Sequence, residues 1–372
     1  MYIYKNGSIQ IPNEIVNLQQ SIQVKNSSNN TKNKFKNIII FPPKKSLLLI
    51  LNVFISILHF LLNYSKEKNI CDNIKYDIVI PVNINDIKLL FQQLDILKRY
   101  LYFDKMVIIS KNNSLIEGNI TNNTTIFINE ESLIPKKNLI TIFNKRGINE
   151  TNRINWYHQQ FLKMSYSRIC QNEYYLLWDS DTIPIRPINM FKNEHPLFDM
   201  KHEHHSPYFD TLERLLPNLH FSKLSYISEH MIIKTKYMIE ILEKIEKNLA
   251  IPGIFFWEKI LMSIDKKELI FSGFSEFETY GTYVDTKFPK VYKHRKWSSK
   301  RDMTKYYGKI ENLCENDYNW LSKNYYTITF EKWDNFENSN LKFIKNTKIQ
   351  NFSSPKRFFK YFKRIIKKYK DG

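Results

Sequence analysis

The sequence predicts an α/β protein: a mostly parallel sheet with helices on both faces, followed by a basic amphipathic helix at the C-terminus. Three observations predict it. Apolar runs of strand length alternate with segments whose apolar residues recur at helical spacing. Of the 372 residues 42% are hydrophobic and 25% charged, enough to bury a sizeable core. An apolar run in the middle of the chain, Tyr174-Tyr175-Leu176-Leu177-Trp178, ends abruptly in Asp179-Ser180-Asp181.

Residues 1–45 are polar and rich in Asn and Lys, and read as a weakly ordered extension. Residues 46–65 contain no charge and are long enough to cross a bilayer, yet Asn52, Ser56, His59 and Asn63 fall on one polar stripe. A helix packed on the domain, one lying in the membrane plane and a spanning anchor all fit that pattern. The globular pattern starts with a strand at 76–82. A helix through Ile87, Leu90, Leu94, Leu97 and Leu101 follows, then a strand at 106–109. Further strands are expected at 125–128, 139–143 and 224–228. Between them, a helix carries its apolar seam on Ile154, Tyr157, Phe161 and Met164, with Gln159, Gln160 and Lys163 off the seam.

Composition excludes several classes. The eight glycines are too scattered to form G-x-G-x-x-G or a Walker-type phosphate loop. The three cysteines are too far apart for a disulfide framework or a C-x-x-C site. The net charge of +19 is concentrated at 287–301 and 356–370, where basic residues stand without a single acid. Such an excess suits nucleic acid, anionic lipid or a phosphorylated substrate.

Asp179 and Asp181 carry the chemistry. A carboxylate pair at the carboxyl end of a buried parallel strand points into the crevice where open α/β sheets bind ligands. Two anionic side chains this close repel one another unless a cation lies between them. Hard oxygen donors select Mg²⁺ or Mn²⁺, which keep open positions for substrate phosphates. The alternative is a solvated turn capping the strand.

The stretch Tyr174 to Thr182, with Pro184, Arg186 and Pro187, resembles the donor-binding segment of GT-A-type nucleotide-sugar glycosyltransferases. It is most similar to a mainly bacterial family that also carries W-Y-x-Q-Q-x-x-K, here Trp156-Tyr157-His158-Gln159-Gln160-Phe161-Leu162-Lys163. A third segment of that family, S-E-x-E-x-Y-G, is matched by Ser275-Glu276-Phe277-Glu278-Thr279-Tyr280-Gly281. The resemblance covers residues 76–301. It implies a GT-A-like, Rossmann-like fold, a divalent cation (Mn²⁺ or Mg²⁺) and a nucleotide-diphosphate sugar as donor. Asp181 is then the expected direct metal ligand and Asp179 the contact to ribose or metal-bound water. His294 is the candidate the resemblance offers for a distal metal ligand, with Lys293 and Arg295 beside it for the diphosphate; a solvated histidine in a basic loop is the alternative. Pro81, Arg153, Gln159, Gln160 and Lys163 complete the expected donor-binding set.

Glu276 and Glu278 are the candidate catalytic carboxylates. Ser275 with Glu278 three residues on also reads as a capping box at the start of a helix through Phe274, Phe277, Gly281, Val284 and Phe288. Glu276 is freer to deprotonate an acceptor hydroxyl. His202-Glu203-His204-His205 lacks zinc-site spacing and reads as a loop near the acceptor. Glu229-His230 either reaches the acceptor or is structural.

In the tail, Phe358, Phe359, Tyr361, Phe362, Ile365, Ile366 and Tyr369 share one helical face and basic residues the rest. That is the pattern of an in-plane binder on an anionic membrane surface. A helix docked on the domain shares it. Nucleic acid would leave the apolar stripe unused and is not expected as a partner.

The expected organisation is an extension over 1–70, a GT-A-like catalytic domain over 71–310 and a C-terminal extension over 311–372 with the membrane-binding helix at 355–370. The expected function is metal-dependent transfer of a sugar to a glycan or glycolipid acceptor at the cytoplasmic face of a membrane. Alternatives are a type II anchored enzyme of the secretory pathway, and a basic nucleic-acid-binding protein with a non-catalytic α/β domain.

Overall fold

The computed structural model describes residues 3–5, 8–10, 74–111, 124–148, 151–331, 334, 340–341, 344 and 353–370. The apolar segment 46–65 lies outside them. β1 (Ile3–Lys5) and β2 (Ser8–Gln10) form an antiparallel hairpin in a unit of its own, Met1–Leu61.

The unit Leu62–Gly372 contains the expected mostly parallel sheet flanked by helices. Its five strands are β3 (Tyr76–Pro81), β4 (Met106–Ser110), β5 (Thr125–Asn129), β6 (Tyr174–Trp178) and β10 (His230–Lys234), in spatial order β10-β6-β3-β4-β5. Only β10 runs antiparallel to its neighbour. Every residue of β3, β4 and β6 is buried. Strands covered on both faces need continuous rather than alternating apolar runs, which is why these segments were legible as strands. Two small three-stranded sheets flank the main one. The first orders β11 (Lys293–Lys296), β9 (His195–Met200) and β8 (Phe191–Lys192); the second orders β12 (Ser299–Lys300), β13 (Thr327–Thr329) and β7 (Thr182–Pro184).

The helices are α1 (Ile87–Tyr100), α2 (Glu130–Leu133), α3 (Lys136–Lys145), α4 (Thr151–Ser165), α5 (Ser206–Leu215), α6 (Thr235–Lys247), α7 (Phe256–Ser263), α8 (Lys266–Leu269), α9 (Glu276–Lys287), α10 (Met303–Tyr307), α11 (Glu315–Leu321) and α12 (Pro355–Lys370). In α1, Ile87, Leu90 and Leu97 are buried as their spacing predicts, and so is the α4 seam. Among the described residues no helix is long and apolar enough to cross a membrane.

Two strand expectations fail. The segment 139–143 lies inside helix α3: Leu139 and Phe143 are buried one turn apart while Ile140 between them is exposed. The apolar run was short enough to fit either period, and Pro135 at the N-cap starts a helix there. The segment 224–228 is not a strand, apart from one bridge between Ser225 and Lys201. Pairing with β6 begins only at His230, beyond Glu229, whose left-handed backbone (φ 63°) turns the chain into the sheet.

A second apolar cluster packs Ile183 and Ile185 against Met303, Tyr306, Trp320 and Ile328, and α12 completes it with Phe358, Phe359 and Phe362. The aromatic face expected to enter a membrane is therefore used inside the protein up to Phe362. Phe359 and Phe362 pack on Tyr306, and Phe358 packs edge-on against Trp320. Over this stretch a membrane contact by α12 would rest on its basic side chains and Tyr361, which is exposed.

Candidate active site

The five-residue apolar strand β6 delivers Asp179 and Asp181 to the carboxyl edge of the sheet, and the turn that follows is pinned from several sides. The Asp179 N–H donates to the Glu229 carbonyl (3.0 Å), and the Thr182 N–H donates to the Asp179 carbonyl (3.0 Å). Trp178 Nε1 donates to the Thr182 carbonyl (2.8 Å), Gln93 Nε2 to the Ser180 carbonyl (2.5 Å), and the Phe330 N–H to the Asp181 carbonyl (3.0 Å). With the backbone held this way, both carboxylates line a cavity of about 450 Å³.

Helix α4 supplies the opposite wall. Trp156, Gln159, Gln160 and Lys163 stand at positions i, i+3, i+4 and i+7, one face of the helix, and all four line the cavity. The residues off the apolar seam are thus the ones that face the cavity. Lys163 Nζ lies 2.5 Å from Asp179 Oδ1 and 2.7 Å from Glu276 Oε1. Burial alone would depress its ammonium, but Asp179 and Glu276 together hold its pKa above the ordinary value. Glu276 is itself buried, which pushes its carboxyl up against the opposing pull of Lys163. The Glu276 N–H donates to Gln160 Oε1 (3.1 Å). Arg153 stacks over Trp156 (4.3 Å) and donates to Ser272 Oγ (2.5 Å) at the rim.

Asp181 has the most perturbed carboxyl of the cavity. Burial first, then Asp179, Glu331 and Asp86, push it up to about 8, with Arg301 opposing. A crowd of hard oxygen donors that repel one another is the donor set that Mg²⁺ or Mn²⁺ takes. Among the described residues no three His, Cys, Asp or Glu side chains form a ready-made metal cage. Mg²⁺-type sites need only one or two carboxylates and complete the sphere with water and substrate phosphate.

The structure brings together Arg153, Gln159, Gln160, Lys163, Asp179, Asp181 and Glu276. Pro81 lines an adjoining cavity of about 360 Å³ shared with Trp156, Gln159 and Ser180, and its carbonyl accepts from Gln159 Nε2 (3.5 Å). The other expected residues lie elsewhere. Glu278 is buried behind the cavity wall, where one carboxylate oxygen accepts from Ser225 Oγ (2.8 Å) and the Tyr226 N–H (3.2 Å). Ser275 Oγ accepts the Glu278 N–H (3.3 Å), so half of the expected capping box forms, but the Glu278 side chain does not return the bond. Gly281 lets Tyr226 approach: a Cβ there would collide with its ring.

Lys293, His294 and Arg295 lie on β11, around a different cavity. His294 Nε2 is 2.6 Å from Asp285 Oδ2, a hydrogen bond that raises the imidazole pKa. Arg295 makes a two-point contact with Asp199 (2.6 and 2.8 Å). Neither adjoins Asp181. A strand alternates its side chains between two faces, and the charge of this basic run gave no sign of which face would be used.

Glu203, in the loop expected near the acceptor, lines the cavity as well. Three further polar residues of the cavity were missed as participants. Asp86 ends the loop after β3, Ser272 faces Arg153, and Arg301 donates to Glu331 Oε1 (2.7 Å) and Glu203 Oε2 (3.4 Å). They reach the cavity from loops far apart in sequence, with no spacing to mark them.

The chain belongs to a family of unknown function (DUF6492), whose model matches residues 75–354. No curated protein matches it. Among solved structures it is similar to the galactosyltransferase LgtC in complex with donor and acceptor sugar analogs (10% identity, 68% of this chain and 86% of that one, TM-score 0.33). It is also similar to the mannosyltransferase Ktr4p from S. cerevisiae in complex with GDP (10% identity, 79% and 81%, TM-score 0.36). A third is the glycosyltransferase GlyE of Streptococcus pneumoniae TIGR4 (10% identity, 79% and 64%, TM-score 0.33).

Proposed function

We propose that the protein is a glycosyltransferase that moves a sugar from a nucleotide-diphosphate donor to a glycan acceptor with the help of a divalent cation. The observation that carries this reading is the crowding of Asp181 by Asp179, Asp86 and Glu331 at the carboxyl end of β6, inside a cavity that also presents Arg153, Lys163 and Arg301. A cation held by Asp179 and Asp181 would neutralise the charge that grows on a departing diphosphate. Arg153 and Arg301 suit the donor's phosphates, since a guanidinium offers paired donors to phosphate oxygens. The adjoining cavity near Pro81 and His158 has room for the nucleoside.

Glu276 is the candidate base toward the acceptor hydroxyl. Its carboxylate accepts from Lys163, whose ammonium favours the ionised form that a base must start from, and Lys163 ties the base to Asp179 in one buried network. Tyr208 and Glu203, which line the same cavity, would orient the acceptor. Incubating the purified protein with a panel of nucleotide sugars, with Mn²⁺ and with chelator, tests the reading. Release of nucleoside diphosphate from at least one donor, lost in chelator and in Asp181→Ala, is expected. Release from none of them, or release indifferent to chelator, would contradict it.

A further inference from the structure

Twelve large apolar side chains are exposed among the described residues, and six of them fall between 249 and 271: Leu249, Ile254, Phe255, Met262, Ile270 and Phe271. Scattered exposed apolar residues need no explanation, whereas half of the exposed set within one short stretch of chain asks for one. Leu249 is 94% exposed, Ile254 76% and Phe271 60%.

These residues do not sit on a loose loop. Asn248 Nδ2 donates to the carbonyls of Arg214 (3.1 Å) and Leu215 (3.0 Å), and the buried Lys259 Nζ donates to those of Asn248 (2.5 Å) and Ile251 (3.1 Å). Glu258 Oε2 accepts the N–H groups of Ile254 (2.7 Å) and Phe255 (3.0 Å). The turn also needs Gly253 at φ 123°, where a Cβ would meet Glu258. A loop anchored so fully still directs Leu249 and Ile254 into solvent.

Charge says what covers them. Between this loop and the end of α7 lies a crevice of about 320 Å³ lined by Arg146, Arg214 and Lys266, with Asp265 the acid on its wall. Met262 lines the same crevice, so cationic and apolar groups interleave. Apolar side chains projecting beside basic ones are what an in-plane contact with a bilayer uses: the former enter the acyl boundary and the latter meet headgroup phosphates. A few residues on, Ser272 lines the cavity of Asp179 and Asp181.

We infer that the face formed by 249–255, Met262 and 266–271 seats the protein on an anionic bilayer, with a lipid headgroup phosphate in the crevice of Arg146, Arg214 and Lys266. The acceptor is then a lipid-linked glycan presented along that surface; this last step rests on the transfer reading above, while the membrane contact does not.

Co-sedimentation of the full chain with phosphatidylglycerol-containing vesicles tests it, beside vesicles of phosphatidylcholine alone. The wild type should bind the anionic vesicles. Leu249→Glu with Ile254→Glu should lower the bound fraction about tenfold with melting temperature unchanged, because both side chains are exposed. Lys266→Glu should weaken binding in low salt and matter less in high salt. Asp181→Ala should bind as the wild type, so that failure of the transfer reading leaves this result standing. No vesicle binding by the wild type would overturn the inference. So would binding unaffected by the Leu249/Ile254 pair but lost in Lys360→Glu with Arg364→Glu, which would assign the contact to α12, or a concentration-dependent dimer abolished by the Leu249/Ile254 pair.

Discussion

Asp179 with Asp181 and Glu276 with Glu278 are carboxylate pairs of the same spacing that the fold treats differently. The first pair lies in the turn that leaves a buried strand, pinned by backbone hydrogen bonds from Asp179 to Glu229 and from Thr182 to Asp179, and both side chains line the cavity. The second opens helix α9, where two positions are about 200° apart. Glu276 therefore meets Lys163 in the cavity while Glu278 points back to Ser225 and Tyr226. Spacing alone does not make a site; the backbone on which it is laid decides whether two charges cooperate.

That contrast can be broken most severely at Asp181. Asp181→Ala should reduce metal-dependent turnover of the donor to background while circular dichroism stays native, since the turn is held by backbone bonds rather than by this side chain. Full turnover in the variant would remove the pair from the mechanism. Glu276→Gln should cost roughly 10²–10⁴-fold in kcat, the usual contribution of a general base, with donor KM little changed. A rise in KM with kcat intact would make it a binding residue instead.

Lys163→Met probes the link between the two pairs. It leaves two carboxylates without their shared cation, and a buried pair broken on one side costs about 3–5 kcal/mol. Chemical denaturation should show a loss of that order, and a change below about 1 kcal/mol, the worth of a surface pair, would contradict the network.

Glu278 gives the smallest effect and the sharpest sign. Burial pushes its carboxyl up to about 7, opposed by the hydrogen bonds from Ser225 and Tyr226. Its unfolded value is about 4.3. Between those values the folded state holds more protons than the unfolded one, so this group's contribution to stability falls as pH rises from about 4.3 to about 7. Glu278→Gln removes that slope: the wild type should lose stability relative to the variant across the window, at unchanged turnover. Parallel stability curves would place the Glu278 carboxyl in a different environment.

Much of the fold could be read from the chain because buried parallel strands need unbroken apolar runs, and 76–82, 106–109 and 174–178 have them. The α4 wall was legible for the complementary reason: Gln159, Gln160 and Lys163 are polar residues off an apolar seam. What was not legible depended on direction rather than composition. Leu139 and Phe143 suit both periods, and only Pro135 favoured the helix. Lys293, His294 and Arg295 looked like phosphate and metal ligands by charge, but their strand pairs with β9 and meets Asp199 and Asp285. Arg301, Asp86 and Ser272 come to the cavity through tertiary packing that no local pattern encodes. The aromatic face of α12 was visible as amphipathic; which apolar partner it would take was not, because a core and a bilayer ask for the same stripe.

The most direct test of the central claim is calorimetric binding of nucleoside diphosphates to the wild type and to Asp181→Asn, each with Mn²⁺ and with chelator. One nucleoside diphosphate should bind the wild type only with the cation present, and Asp181→Asn should not bind it under either condition. Equal affinity in chelator, or an unchanged cation-dependent affinity in Asp181→Asn, would contradict a metal-bridged diphosphate at the end of β6.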